Sequence, residues 1–144
     1  MSDIHLDPTR EQFEAFKNLD RDAPIEMLNL VRFRDVATYP EEHALCGKGL
    51  SGADAYANYG RETAPILERV GGSILWRGGF ETTLIGPEDE QWDAMFIARY
   101  PTAHAFLEMV TAPDYQAAVV HRQAAVHTSR LIRASNADGG ASFG

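Results

Sequence analysis

Nine consecutive residues, Ile25 to Phe33 (IEMLNLVRF), narrow the possible folds more than any other stretch, because apolar side chains fall on both of their alternating sets. Met27, Val31 and Phe33 lie on one set, Leu28 and Leu30 on the other. A strand of this kind must be covered on both faces. That excludes a sheet with one solvated side and requires a layer above this strand and another below it.

The flanking segments supply elements for those layers. Asp7-Pro8-Thr9 ahead of Phe13, Phe16 and Leu19 predicts a short helix over Pro8–Asn18. Pro40 and the glycines Gly47, Gly49 and Gly52 mark a polar loop after the strand. Ser51 or Asp54 then caps a helix carrying Tyr56, Tyr59, Thr63, Ile66, Leu67 and Val70 on one stripe, and Gly71-Gly72 stops it. Pro65 inside that pattern predicts a kink. Ser73–Ile85 reads as a strand bent at Gly78-Gly79, joined by Gly86-Pro87-Glu88-Asp89 to a second strand, Trp92–Tyr100. Pro101-Thr102 caps a helix with Ala103, Phe106, Leu107 and Val110, and Ala112-Pro113-Asp114 caps another with Tyr115, Ala118, Val119, Arg122 and Val126. His127–Arg133 is a last strand, and the small, polar tail Ser135–Gly144 is expected to be flexible. One domain over 1–134, with its core in 24–134, follows from this division.

After the leading helix the order is β-α-β-β-α-β, the split βαβ arrangement of the ferredoxin-like α+β fold, with one four-stranded antiparallel sheet and helices on one face. The other face is left bare. Depending on register, groups such as Met27, Val31, Phe33, Ile74, Trp76, Trp92 and Phe96 are expected on it, and an apolar face of that size is a partner surface. Homodimerisation by sheet-to-sheet packing covers it most simply.

The ordered set Tyr56-Ala57-Asn58-Tyr59, Pro65-Ile66-Leu67, Gly71-Gly72, Trp76-Arg77-Gly78-Gly79, Arg99-Tyr100-Pro101-Thr102 and Ala112-Pro113-Asp114-Tyr115-Gln116-Ala117-Ala118 resembles the uncharacterised family called domain of unknown function 1330. The resemblance spans roughly Pro24 to Ala134. It implies membership of the dimeric α/β-barrel group of ferredoxin-like folds, some of whose members carry out cofactor-free oxygenation or isomerisation. Two features depart from a minimal member: the leading helix with the long loop from about Arg34 to Gly52, and the polar groups within Asn29-Leu30-Val31-Arg32-Phe33. The loop insertion is placed to cover a cleft or to extend a dimer contact. Fold does not fix function, so the chemistry has to be argued from residues.

Charge and motifs close several routes. Thirteen Lys+Arg against 21 Asp+Glu leave a formal charge of −8, which disfavours nucleic acid and anionic membranes as partners. No apolar run approaches the roughly 20 residues of a membrane span, and the first residues lack a leader pattern, so a cytoplasmic protein is expected. Cys46 is the only cysteine and has no second thiol for a disulfide or a thiolate metal site. The histidines His5, His43, His104, His121 and His127 show no His-x-x-x-His spacing, so no metal is assigned. Some dimeric α/β-barrel relatives hold haem through a helical histidine, and His104 or His121 is placed similarly, but a lone helical histidine is ordinarily a surface or capping residue. No cofactor is therefore assigned. Phosphate-binding glycine loops and nucleophile elbows are absent from the sequence.

The remaining candidates are polar groups on otherwise apolar strands. Arg77 and Arg99 offer planar forks for a carboxylate or enolate-like oxygen, Asn29 a neutral partner, and Glu81 a group to move a proton. The competing reading is an internal Glu81–arginine ion pair or solvated strand edges. Tyr59, beside Pro65, is the tyrosine best placed as a cleft wall or proton donor, although core packing with a satisfied hydroxyl is the usual role of such a side chain. Trp76, Phe80, Trp92 and Phe96 offer an apolar wall. Two functions follow: a cofactor-independent barrel, monooxygenase- or isomerase-like, acting on a small aromatic or polyketide-like molecule, or a non-catalytic homodimeric interaction module.

Overall fold

A computed structural model of the chain describes residues 4–137 and 139–144. The elements are α1 (Arg10–Asn18), β1 (Ile25–Phe33), α2 (Gly52–Arg69), β2 (Ser73–Gly78), β3 (Ala94–Tyr100), α3 (Ala103–Thr111), α4 (Pro113–Ala125) and β4 (Val126–Ser135). The strands form one antiparallel sheet in the order β2-β3-β1-β4, with β1 between β3 and β4. This is the ferredoxin-like topology expected from the element order.

Local chemistry accounts for the boundaries. Thr9 and Gln12 form a reciprocal capping box at α1. Ser51 accepts from the Asp54 N–H at the start of α2, and Thr102 accepts from the Ala105 N–H at the start of α3. Pro113 opens α4, where its missing N–H is not needed. Gly71, with φ of 81°, takes the left-handed position that ends α2. Helix α2 runs unbroken through Pro65, so the expected kink does not divide it.

Two expectations are corrected. Strand β2 ends at Gly78, and 79–93 is irregular, so the β-forming run from Phe80 to Ile85 is loop and Trp92 precedes β3. Leu84 and Ile85 are over nine-tenths exposed, so their side chains lie outside the core. The pairing register settles the face assignment, and it moves most of the named residues to the helix side while leaving Trp76 on the uncovered one. Opposite residues in an antiparallel pair share a face, and Met27 lies opposite Ala98, Asn29 opposite Phe96 and Val31 opposite Ala94. Met27, Val31, Phe33, Ile74 and Phe96 all belong to or pack against the two buried clusters on the helix side. The uncovered face instead carries Leu28, Ile97, Ile132 and Trp76 at one level and Leu30, Met95 and Arg130 at the next. A bulge between Ile74 and Trp76 adds Leu75, half exposed at 50%.

One cluster packs Ile25, Met27, Ala98 and Tyr100 against α2, α3 and α4. The other joins Val31, Ala55, Ala124, Ala125 and Val126 to the inserted loop through Tyr39, Leu45, Cys46 and Leu50. That loop is pinned by backbone bonds: the Arg34 N–H donates to the Ala125 carbonyl (2.8 Å), the Thr38 N–H to the Ala124 carbonyl (2.9 Å) and the Ala37 N–H to the Leu50 carbonyl (2.8 Å). Gly52 is where the loop meets α2, and a Cβ there would lie 2.1 Å from the Arg34 carbonyl oxygen. The N-terminal segment lies along β4, with His5 donating to Thr128 Oγ1 (2.9 Å) and its carbonyl accepting from the Ser129 N–H (2.8 Å). Backbone groups at the edge of the sheet are thereby occupied.

Candidate functional site

On the uncovered side, the long β2–β3 loop folds beside β1 and β3 and leaves a concavity of about 380 Å³. Leu30 and Met95 form its floor, and Gly79, Phe80, Glu81, Thr82, Thr83 and Trp92 its walls. Beside the Trp92 wall, a charged pair joins sheet and loop. Arg130 places its guanidinium 5.4 Å from the centre of the Trp92 ring and bonds Glu90 at 2.8 Å, with both charged side chains about one quarter exposed. Thr83 donates to the Glu90 carbonyl (3.0 Å), which ties the two ends of the loop together.

Glu81 is the one proposed polar residue that lines this concavity. Trp76 and Arg99 share the uncovered face but stand apart from it. Arg99 is four residues along β3 from Met95, about 13 Å at strand rise. Trp76 is 46% exposed and its indole lies across Gly78, where a Cβ would come within 2.4 Å of the ring. The glycine leaves the space that the indole occupies.

Asn29, Arg77 and Tyr59 lie on the helix side. The Asn29 amide donates to the neighbouring Met27 carbonyl (3.0 Å), and Arg77 sits 5.8 Å from the centre of the Phe96 ring. Tyr59 and Tyr115 hydroxyls bond each other at 2.8 Å. Burial pushes the Tyr59 phenol well above its ordinary range, and the Tyr115 hydroxyl adds to the rise. Burial also raises Tyr115, against the opposing effect of its bond to Tyr59, and pushes Tyr56 up to about 12. The six residues singled out in the sequence are therefore split between the two sides of the sheet.

A second polar constellation had no sequence signal. His121 on α4 is 7% exposed, not a surface or capping residue, and both its ring nitrogens are engaged. Nδ1 lies 2.7 Å from the Tyr39 hydroxyl, and Nε2 lies 2.7 Å from Glu62 Oε2 on α2. His43 stacks on Tyr39 with ring centres 4.6 Å apart and meets His121 edge-on at 5.7 Å. Eighty-two residues separate Tyr39 from His121, and only the folded loop brings them together. Among the described residues no group of three or more His, Cys, Asp or Glu side chains is arranged to hold a metal ion, and no helix is long and apolar enough to cross a membrane.

Topology and register define a ferredoxin-like α+β protein with an uncovered apolar sheet face. Residues 50–134 match the family described as domain of unknown function (DUF1330), and the chain belongs to that family. It is also similar to a protein of unknown function from Rhodopseudomonas palustris at 51% identity, covering 95% of this chain and 100% of that one with a TM-score of 0.87. The methylated form of that protein gives 51% identity, 96% and 98% coverage and a TM-score of 0.88. A cofactor-independent oxygenase from Streptomyces nogalater is 15% identical over 81% of this chain and 96% of its own, with a TM-score of 0.49. A likeness that loose says nothing about activity here. No curated protein matches this chain.

Proposed function

We propose that the protein is a homodimer paired through the uncovered sheet face, and that the concavity beside that face binds a small aromatic or polyketide-like molecule without a tightly held cofactor. The observation that carries the reading is continuity. The floor residues Leu30 and Met95 belong to the same apolar face as Leu28, Ile97 and Ile132, so covering that face with a second copy would also roof the concavity. Its volume of about 380 Å³ suits a ligand of one or two rings.

The chemistry of the walls supports an organic ligand with one acidic or enolisable group. Trp92 and Phe80 offer ring faces, Met95 an adaptable floor, and Glu81 a carboxylate that can accept a proton from the ligand. In this reading Trp76 and Arg99 belong to the dimer face, and Asn29, Arg77 and Tyr59 serve the packing of sheet on helices. A thermal-shift screen of aromatic acids, lactones and quinols tests it. At a hundredfold excess over Kd a true ligand stabilises the native state by about 2.7 kcal/mol. Met95→Trp, which fills the floor, should abolish the shift, and Glu81→Gln should weaken it for enolisable ligands that can donate a proton to the carboxylate. The reading fails if no compound shifts the native protein, or if Met95→Trp leaves the shifts intact.

A further inference from the structure

The groove between α2 and α4 is a second concavity, about 330 Å³, lined by Glu62, Pro65, Ile66, Arg69, Asp114 and Ala117. Its charges are unequal in availability. Arg69 is committed to Asp114 through two bonds, Nη1 to Oδ2 at 2.6 Å and Nη2 to Oδ1 at 3.1 Å. The bond from Arg69 also holds the Asp114 carboxyl below its ordinary range. Glu62 is held by a histidine and not by an arginine fork. Its Oε2 meets the imidazole of His121, and the side chain is 48% exposed, so the carboxylate faces the groove.

The far side of His121 determines how that carboxylate is held. A neutral imidazole has one donor and one acceptor nitrogen. With the imidazole neutral and the Tyr39 hydroxyl donating to Nδ1, Nε2–H is the donor to Glu62, and the donors run in one direction from Tyr39 through His121 to the groove. The buried ring of Tyr39, 6% exposed and stacked on His43, fixes the inner end. A carboxylate oriented from behind by a buried histidine, beside an apolar floor of Pro65, Ile66 and Ala117, complements a cation with a short alkyl chain.

We propose that the α2–α4 groove is a binding site for the ammonium group of a small aliphatic amine, with Glu62 as its counter-charge and His121 and Tyr39 as positioning residues behind it. The site is independent of the concavity beside the sheet. n-Butylammonium is the probe, with butanol and butyrate as neutral and anionic controls, titrated into the ¹⁵N-labelled full chain. Saturable amide shifts are expected at residues 62–69 and 114–117, with butanol about tenfold weaker, the scale of one charge-assisted hydrogen bond. Glu62→Gln should reduce butylammonium to the level of butanol. Tyr39→Phe, which keeps the ring, should lower the ammonium-over-alcohol preference severalfold while leaving the remaining amide spectrum in place, an effect that a purely structural role would not produce. The proposal is overturned if no saturable shift appears, if butanol or butyrate moves the same amides equally, if Glu62→Gln keeps the preference, or if the shifts fall at 79–83 instead.

Discussion

Replacing Tyr39 by phenylalanine removes one oxygen and leaves the ring that packs in the second cluster and stacks on His43. The lost contact is the 2.7 Å bond to His121 Nδ1. Because His121 is 7% exposed, water cannot readily replace the hydroxyl, and the nitrogen is left without a partner. An ordinary hydrogen bond is worth about 1 kcal/mol net, and the unsatisfied buried group raises the cost to about 1–3 kcal/mol. For a domain of this size that corresponds to a fall in Tm of roughly 2–10 °C. Urea unfolding at fixed protein concentration should show a lower midpoint with an unchanged m-value. Glu62→Gln perturbs the opposite nitrogen of the same imidazole, so the double variant should depart from additivity by about 0.5 kcal/mol or more. A Tyr39→Phe protein within about 0.3 kcal/mol of the parent, or strict additivity with Glu62→Gln, would refute the relay.

Three further outcomes follow. Gly52→Ala sets a Cβ 2.1 Å from one backbone oxygen and 2.9 Å from another, that of Ala125, so it should cost about 3 kcal/mol or more by urea unfolding. The buried phenols of Tyr56, Tyr59, Tyr100 and Tyr115 are all raised, so the stability they contribute is complete below about pH 10, where unfolded tyrosines ionise, and is lost as pH rises through the folded values, about 12 for Tyr56. Phenolate absorbance from these residues should therefore appear together with unfolding, and reversible ionisation near pH 10 in the folded state would contradict it. Asp114 is lowered by its bond to Arg69, so the difference between the parent and Arg69→Ala should be small, salt-sensitive and present above about pH 4, fading as pH falls through the depressed folded value. A difference that persists at lower pH would contradict that pairing.

Element order was legible in this sequence because each helix carries its own punctuation. Ser51, Thr102 and Pro113 stand at or beside the observed starts, and Gly71 at an observed stop. The facing of the strands was not legible. With apolar groups on both sets of β1, nothing local says whether Met27 or Leu28 meets the helices, and only the pairing with Ala98 and Ile97 decides. The run Phe80–Ile85 has strand composition but no neighbouring strand, so propensity yielded to topology. Glu81 reached a concavity through that misread segment. His121 shows a different limit: it sits on α4, Tyr39 comes from the loop insertion and Glu62 from another helix, a juxtaposition that no spacing encodes.

Pairing through the uncovered face that carries Leu28, Leu30, Met95, Ile97 and Ile132 is tested most directly by sedimentation equilibrium. At micromolar concentration the parent chain should sediment at twice its 15.9 kDa. Ile97→Glu leaves the helix-side clusters untouched but sets an unpaired charge in the paired face, at a cost of about 3–5 kcal/mol, and should sediment as a folded monomer. A parent protein that stays monomeric at these concentrations, or an Ile97→Glu variant that remains fully dimeric, would contradict it.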